Sequence, residues 1–274
     1  MANPRSGYRA NGRLDYREGI IAVQKPRGSQ PRLGGPPLLF TTDARMTLLV
    51  TLALSKGAVR PASLWRTIGR KQKETLARLI QAGLVASWSL SHSQRFVALD
   101  PAHPAATELR YLLLQVARSY PGYRAVPYRP EDGDGGEVPI RPRRRRDVRF
   151  TLGEPISTMP LLLAYILGET TARWVTQAVP YFETQTVRYT FDKWEAFGIC
   201  TRRRRSGGWP RYEYLSSINP DHALGPSLIA VMAALDREMP QWRMIAESQK
   251  GMVYEPLKRK KRHRWSPQTG LAGW

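Results

Sequence analysis

The chain has 274 residues, and its 43 Lys and Arg against 22 Asp and Glu give a formal net charge of +21 and a pI near 10.7. A hydrophobic fraction of 42% with 8 Trp and 12 Tyr is too apolar for a disordered polyelectrolyte, and the length suits two domains with a core each. One cysteine excludes an intramolecular disulfide and a cysteine-rich metal site; no apolar run is long enough to span a bilayer and no signal-peptide pattern opens the chain, so the expected setting is a reducing cytoplasm and the expected partner carries phosphates.

Residues 1–43 hold many Gly, Pro and Arg without periodicity and read as a basic, flexible arm. A first structured block occupies 44–120. Met46, Leu49, Val50, Leu52 and Ala53 predict a mainly apolar helix that stops at Lys56-Gly57, a basic last turn before a C-cap glycine. A second helix is expected from Pro61 to Ile68, and a third from about Lys71, with Leu76, Leu79 and Ile80 on one side and Gly83 at its end. Trp88 to Leu99 then has strand character, with a turn at Ser91-His92-Ser93. Asp100-Pro101 supplies an N-cap and a proline for a helix through Leu109, Leu112, Leu113 and Val116.

The pattern breaks across 121–156, which holds Glu131-Asp132-Gly133-Asp134-Gly135-Gly136-Glu137 and an arginine run from Arg141 to Arg146, and is read as a linker. A second block, 157–240, has the order of the first: helices over Leu161–Leu167, Ala172–Val179 and Glu183–Phe197, then strand, a Ser206-Gly207-Gly208 turn, strand and Asn219-Pro220. Residues 241–274 close the chain as a basic tail containing Lys258-Arg259-Lys260-Lys261-Arg262, suited to nonspecific phosphate binding.

The two blocks align with each other. Thr47–Gly57 matches Thr158–Gly168, Ala82-Gly83-Leu84-Val85 matches Phe197-Gly198-Ile199-Cys200, and Leu99-Asp100-Pro101-Ala102-His103 matches Ile218-Asn219-Pro220-Asp221-His222. Three anchors in one order indicate an internal duplication with small insertions.

Each block resembles the winged helix-turn-helix domain of bacterial ArsR/MarR-type transcriptional regulators. The likeness rests on the third helix and its A-G-L-V-like end, Glu183–Ile199 and, less closely at its start, Lys71–Val85, and on the N/D-P-x-H step after the hairpin. It implies a mainly α fold with small β hairpins (α+β), two winged-helix domains in one chain, and a third helix that offers its outer face to the major groove. In the second copy Val187, Phe191 and Trp194 form the inward stripe, leaving Thr184, Gln185, Arg188, Tyr189 and Lys193 outward, where Gln and Arg suit bidentate base contacts. In the first, Leu76, Leu79 and Ile80 point inward, leaving Arg70, Lys71, Lys73 and Arg78 outward for phosphates, with Glu74 among them. The second hairpin carries Arg202, Arg203, Arg204, Arg205 and Arg211; four adjacent arginines repel one another unless an anion compensates, which favours a place against the minor groove. Arg143, Arg144, Arg145 and Arg146 in the linker suit an arm along the phosphates, or equally a plain soluble connector.

Catalytic patterns are missing, so the chain is not expected to be an enzyme or to hold a cofactor or metal. His92, His103, His222 and His263 lack the spacing of a helical metal site, His103 and His222 suit a structural role before a helix, and Cys200 suits core packing. The sequence reading is therefore a sequence-specific binder of double-stranded DNA in the bacterial cytoplasm and nucleoid, acting as a repressor by steric block. The second copy would read sequence and the first add affinity, with the chain acting as its own pseudo-dimer on an asymmetric site. No membrane partner is expected and no small-molecule ligand is evident, while an effector and homo-oligomerisation are left open. Two rivals stand beside it: a plasmid or mobile-element replication initiator, and an assembly module that binds protein or RNA.

Overall fold

The fold is described from a computed structural model for residues 39–40, 42–69, 71–91, 94–128, 130, 138, 151–204 and 213–250, and every structural statement below concerns these. The first copy contains α1 (Asp43–Leu54), α2 (Pro61–Ile68), α3 (Lys73–Gln81), β1 (Val85–Ser91), β2 (Gln94–Leu99) and α4 (Ala106–Ser119). The second contains α5 (Pro155–Leu167), α6 (Ala172–Ala178), α7 (Thr184–Ala196), β3 (Cys200–Arg204), β4 (Tyr214–Ile218) and α8 (Gly225–Glu238), followed by α9 (Pro240–Lys250). The fold is mainly helical with two separate two-stranded antiparallel hairpins, β1 on β2 and β3 on β4.

The local causes are legible. Thr42 caps α1, its Oγ1 accepting from Arg45 N at 3.3 Å, and Thr171 caps α6 by accepting from Trp174 N at 3.1 Å. Prolines stand in the first turn of α2 and α5, where a missing N–H costs nothing. Gly83 and Gly198 take φ of 76° and 72°, so the chain leaves α3 and α7 through the left-handed region that glycine enters freely.

The duplication holds bond for bond. Leu84 N donates to Leu79 O at 3.0 Å as Ile199 N donates to Trp194 O at 2.9 Å. Ahead of the second helix in each copy a single residue bridges back to the hairpin, Val59 to Val97 and Thr170 to Ser216. Asp100 Oδ1 accepts from Ala102 N at 3.1 Å, and Asn219 Oδ1 accepts from Asp221 N at 3.1 Å. His103 Nδ1 accepts from Ala105 N at 3.1 Å, and His222 Nδ1 from Leu224 N at 3.2 Å.

Several boundaries differ from the sequence reading. The helix after the first hairpin does not start at Asp100-Pro101: those residues form a turn that His103 completes, and α4 starts at Ala106. The side-chain bonds of Asp100 and His103 to nearby amides compete with a helical start there. Residues assigned to the linker are partly core. Thr151 and Leu152 are buried, α5 begins at Pro155, and Val126 N donates to Ser55 Oγ at 3.0 Å. Residues 240–250, placed at the edge of the basic tail, are helical, and Ala246 of α9 is buried in the core.

The two copies share that core. One continuous cluster runs from Leu39 and Met46 through Leu112, Leu161, Val187 and Trp194 to Leu235 and Ala246. Helices α1 and α5 are apolar nearly all round, as central helices are. Between the copies α4 packs on α8. A small separate cluster, Trp88 and Phe96 with Ala86 and Ala98, lies on the first hairpin and is covered by Ala58 and Val138.

Gly225, the first residue of α8, lets the backbone of the preceding turn close: a Cβ there would stand 2.2 Å from Asn219 O and 2.9 Å from Pro220 O. Gly225→Ala is therefore expected to destabilise the protein by about 1–3 kcal/mol, through a forced backbone shift. A urea midpoint equal to that of the parent protein would contradict this packing.

Candidate nucleic-acid interface

Helix α7 separates its faces as its spacing predicts. Val187, Phe191 and Trp194 are buried, with the Phe191 and Trp194 rings edge to face at 5.8 Å between centroids. Gln185, Thr186, Arg188 and Tyr189 are exposed near its N-terminus, and among the described residues Arg188 meets no carboxylate. Two expected outward residues are less free. Thr184 is half-buried, its Oγ1 3.3 Å from Thr176 Oγ1, which ties the start of α7 to α6. Lys193 is half-buried as well, its Nζ 4.4 Å from the centre of the Tyr189 ring, a cation–π contact that draws the ammonium along the helix surface.

The arginines of the second hairpin behave differently from the expectation. Arg202 is 11% exposed at its side chain, ion-paired to both Asp192 and Glu195 of α7, and lies over Tyr214 with its guanidinium carbon 4.7 Å from the ring centre. Arg203 forms a two-pronged pair with Glu169, Nε to Oε2 at 2.9 Å and Nη2 to Oε1 at 2.6 Å. Repulsion within the run is thus relieved from inside the chain, and Arg202 fastens the hairpin to α7 instead of presenting a free cation. Arg204 is exposed. Arg205, Arg211, Arg70 and Arg143, Arg144, Arg145 and Arg146 lie outside the described residues.

In the first copy Leu76 and Leu79 are buried and Ile80 half-buried, while Lys71, Lys73, Glu74 and Arg78 are exposed. Lys71, Lys73 and Glu74 border a shallow groove of about 510 Å³ with Ala44, Gln72 and Thr75 at the start of α3. A second basic recess, of about 220 Å³, is lined by Ser63, Arg66 and Thr67 of α2 and by Arg124, Ala125 and Pro127. Sequence reading missed this recess, because the segment that carries Arg124 reaches α2 only through tertiary packing. It also missed Asp192, Glu195 and Glu169 as partners of the arginine run; acids three residues apart on α7 were the available signal.

The first hairpin is of another kind. Trp88 and Phe96 stack at 6.1 Å, and the Arg60 guanidinium carbon is 5.7 Å from the Phe96 ring centre, so its face is apolar and covered rather than cationic.

Cys200 occupies the buried place that Val85 holds in the first copy, and burial pushes its thiol up to about 12. His222 accepts a backbone N–H and is held below its ordinary 6.5 by burial. Among the described residues no three His, Cys, Asp or Glu side chains group as a metal site, and no helix is long and apolar enough to cross a membrane. Comparison with known proteins returned no matching family model, no matching curated protein and no matching solved structure.

Two outcomes follow from the shifted groups. Cys200 should resist alkylation by iodoacetamide at pH 8 in the native protein and react on unfolding, since the thiolate is the nucleophile; fast labelling of folded protein would contradict its burial. For His222 the unfolded chain binds the proton more readily, so its contribution to stability is whole above 6.5 and declines as pH falls below it. Thermal melts between pH 7.5 and 5 should show that decline, and His222→Asn should flatten it.

Proposed function

We propose that this chain is a sequence-specific double-stranded DNA-binding protein that uses its two copies as winged-helix units, with α7 reading base edges and α3 contributing mainly phosphate contacts. The observation that carries the reading is the outer face of α7. Gln185, Arg188 and Tyr189 stand exposed near the N-terminus of a helix whose opposite face is anchored by Val187, Phe191 and Trp194. An anchored helix with a bidentate donor set at its leading end is what major-groove reading needs.

Charge supports the same reading. The chain carries +21 overall, and Lys71, Lys73 and Arg78 are exposed around α3, with the carboxylate of Glu74 among them. Phosphate contacts from such residues release counterions and give affinity without sequence preference. In this scheme Arg202 and Arg203 are positioning residues: they hold the second hairpin against α7 and Glu169. A protein that occupies its site in this way represses by exclusion.

Selection of duplexes from a random pool by the full chain should enrich one motif, and Gln185→Ala with Arg188→Ala should blur it at a loss of about 1–3 kcal/mol for each bidentate contact removed. Lys71→Ala, Lys73→Ala and Arg78→Ala together should weaken binding evenly across sequences and lower the slope of log K against log salt by about 2 to 3. Tight binding without a motif would remove the base-reading claim; absence of binding to duplex DNA would remove the proposal.

A further inference from the structure

The recess between α2 and the chain that follows α4 holds two cations with no part in base reading by α7 or in the contacts of α3. Arg66 on α2 and Arg124 on the connector line one volume of about 220 Å³, with the buried Ser63 in its wall. No Asp or Glu stands among the described residues that line it. Arg66 is engaged by long contacts within its own helix, Nη2 to Ser63 Oγ at 3.4 Å and Nε to Ala62 O at 3.5 Å, which use two of the five donors a guanidinium carries. Arg124 makes neither a hydrogen bond nor an ion pair among the described residues.

Both walls are held by the fold. Helix α2 is anchored through Leu64, which is fully buried. The connector is anchored at Val126, whose N donates to Ser55 Oγ at 3.0 Å, and that hydroxyl donates in turn to Thr51 O of α1 at 2.7 Å. Arg124 stands two residues before this anchor, and Pro127, with its fixed φ, directly after it. Little backbone ordering is therefore left for a ligand to impose. The winged unit itself does not require the recess. In the register that matches Val59 with Thr170, residues Ser63, Arg66 and Thr67 correspond to Trp174, Gln177 and Ala178 of α6, which carry no charge. There α9 packs on α6, where the first copy lays an irregular connector along α2.

Size and charge select the occupant. A volume of about 220 Å³ falls below the range of roughly 300–1,000 Å³ that takes drug-sized ligands, so it suits one small group. Guanidinium forks match the oxygens of carboxylates and phosphates. Two forks on separate backbone segments suit the diverging oxygens and higher charge of a phosphate better than a planar carboxylate, which one fork satisfies. We infer that Arg66 and Arg124 form a binding site for a single phosphate group, supplied by a free phosphate or by a nucleic-acid backbone. The site is independent of base reading by α7.

The test titrates the full chain calorimetrically with inorganic phosphate at pH 7.5 in a chloride buffer, and with duplex DNA over a series of salt concentrations. Arg66→Gln with Arg124→Gln is compared with a charge-matched pair, Arg110→Gln with Arg118→Gln, on α4 and outside the recess. All four positions are exposed, and equal thermal melts without phosphate show that both variants fold. With free phosphate as the source, one saturable site is expected, weakened about tenfold or more by the recess pair and unchanged by the control. Arg66→Lys with Arg124→Lys should weaken it as well, because an ammonium keeps the charge and loses the fork. With a backbone phosphate as the source, inorganic phosphate shows no such site, and the recess pair lowers the slope of log K against log salt by about 1 more than the control does. The inference is overturned if the recess pair changes neither titration by more than the control pair. If the parent protein binds no duplex DNA, the DNA-reading proposal falls and the phosphate titration alone decides this one: a saturable site lost in the recess pair upholds it, and its absence overturns it.

Discussion

The packing of α4 against α8 is the constraint on which the rest of the molecule depends. Each copy has a hairpin of only two strands, and a two-stranded hairpin is marginal alone. By setting equivalent helices face to face, the chain joins two small cores into one cluster, with α1 and α5 buried nearly all round inside it. The outer elements, α3 with β1–β2 and α7 with β3–β4, are then carried on a common base, and their exposed faces are fixed relative to their own copy's core.

On that base the copies have diverged in how they treat charge. In the second, a run of arginines is held by Asp192, Glu195 and Glu169, so that the hairpin is locked to α7 by ion pairs. Most of these groups are solvent-exposed, and such pairs contribute little stability individually. Their value is geometric: a planar guanidinium shared by two carboxylates and an aromatic ring fixes the angle between strand and helix. In the first copy Trp88 and Phe96 stand at the register positions of Arg203 and Leu215, with Ala58 where the second copy has Glu169, so that ion pair is replaced by apolar packing with Ala58 and Val138. One architecture is thus stabilised by two kinds of chemistry, leaving the exposed cations on α3 and the mixed polar face on α7.

Much of this was legible in one dimension. The inward stripe Val187, Phe191 and Trp194 follows from helical periodicity, and the duplicated glycines Gly83 and Gly198 mark helix ends. The errors have physical causes. Asp100-Pro101 carries the residues of a helix start, but the side chains of Asp100 and His103 satisfy the nearby amides in a turn, so α4 waits until Ala106. Thr151 and Leu152 sit beside a stretch of arginine and glycine, and their burial comes from contact with a distant part of the core that sequence pattern does not encode.

The sequence by itself determined the order of elements, the duplication and the inner faces of the helices, because periodicity, caps and turn residues act over a few positions. Only the tertiary structure decided which charges are free. Whether an arginine is an exposed cation or a strut depends on acids that reach it through folding, from Asp192 ten positions earlier in the chain and from Glu169 thirty-four positions earlier. The relation between the copies was decided there too: a repeat in sequence has no rotational sense, and it acquires one when α4 lies against α8 with opposite ends meeting.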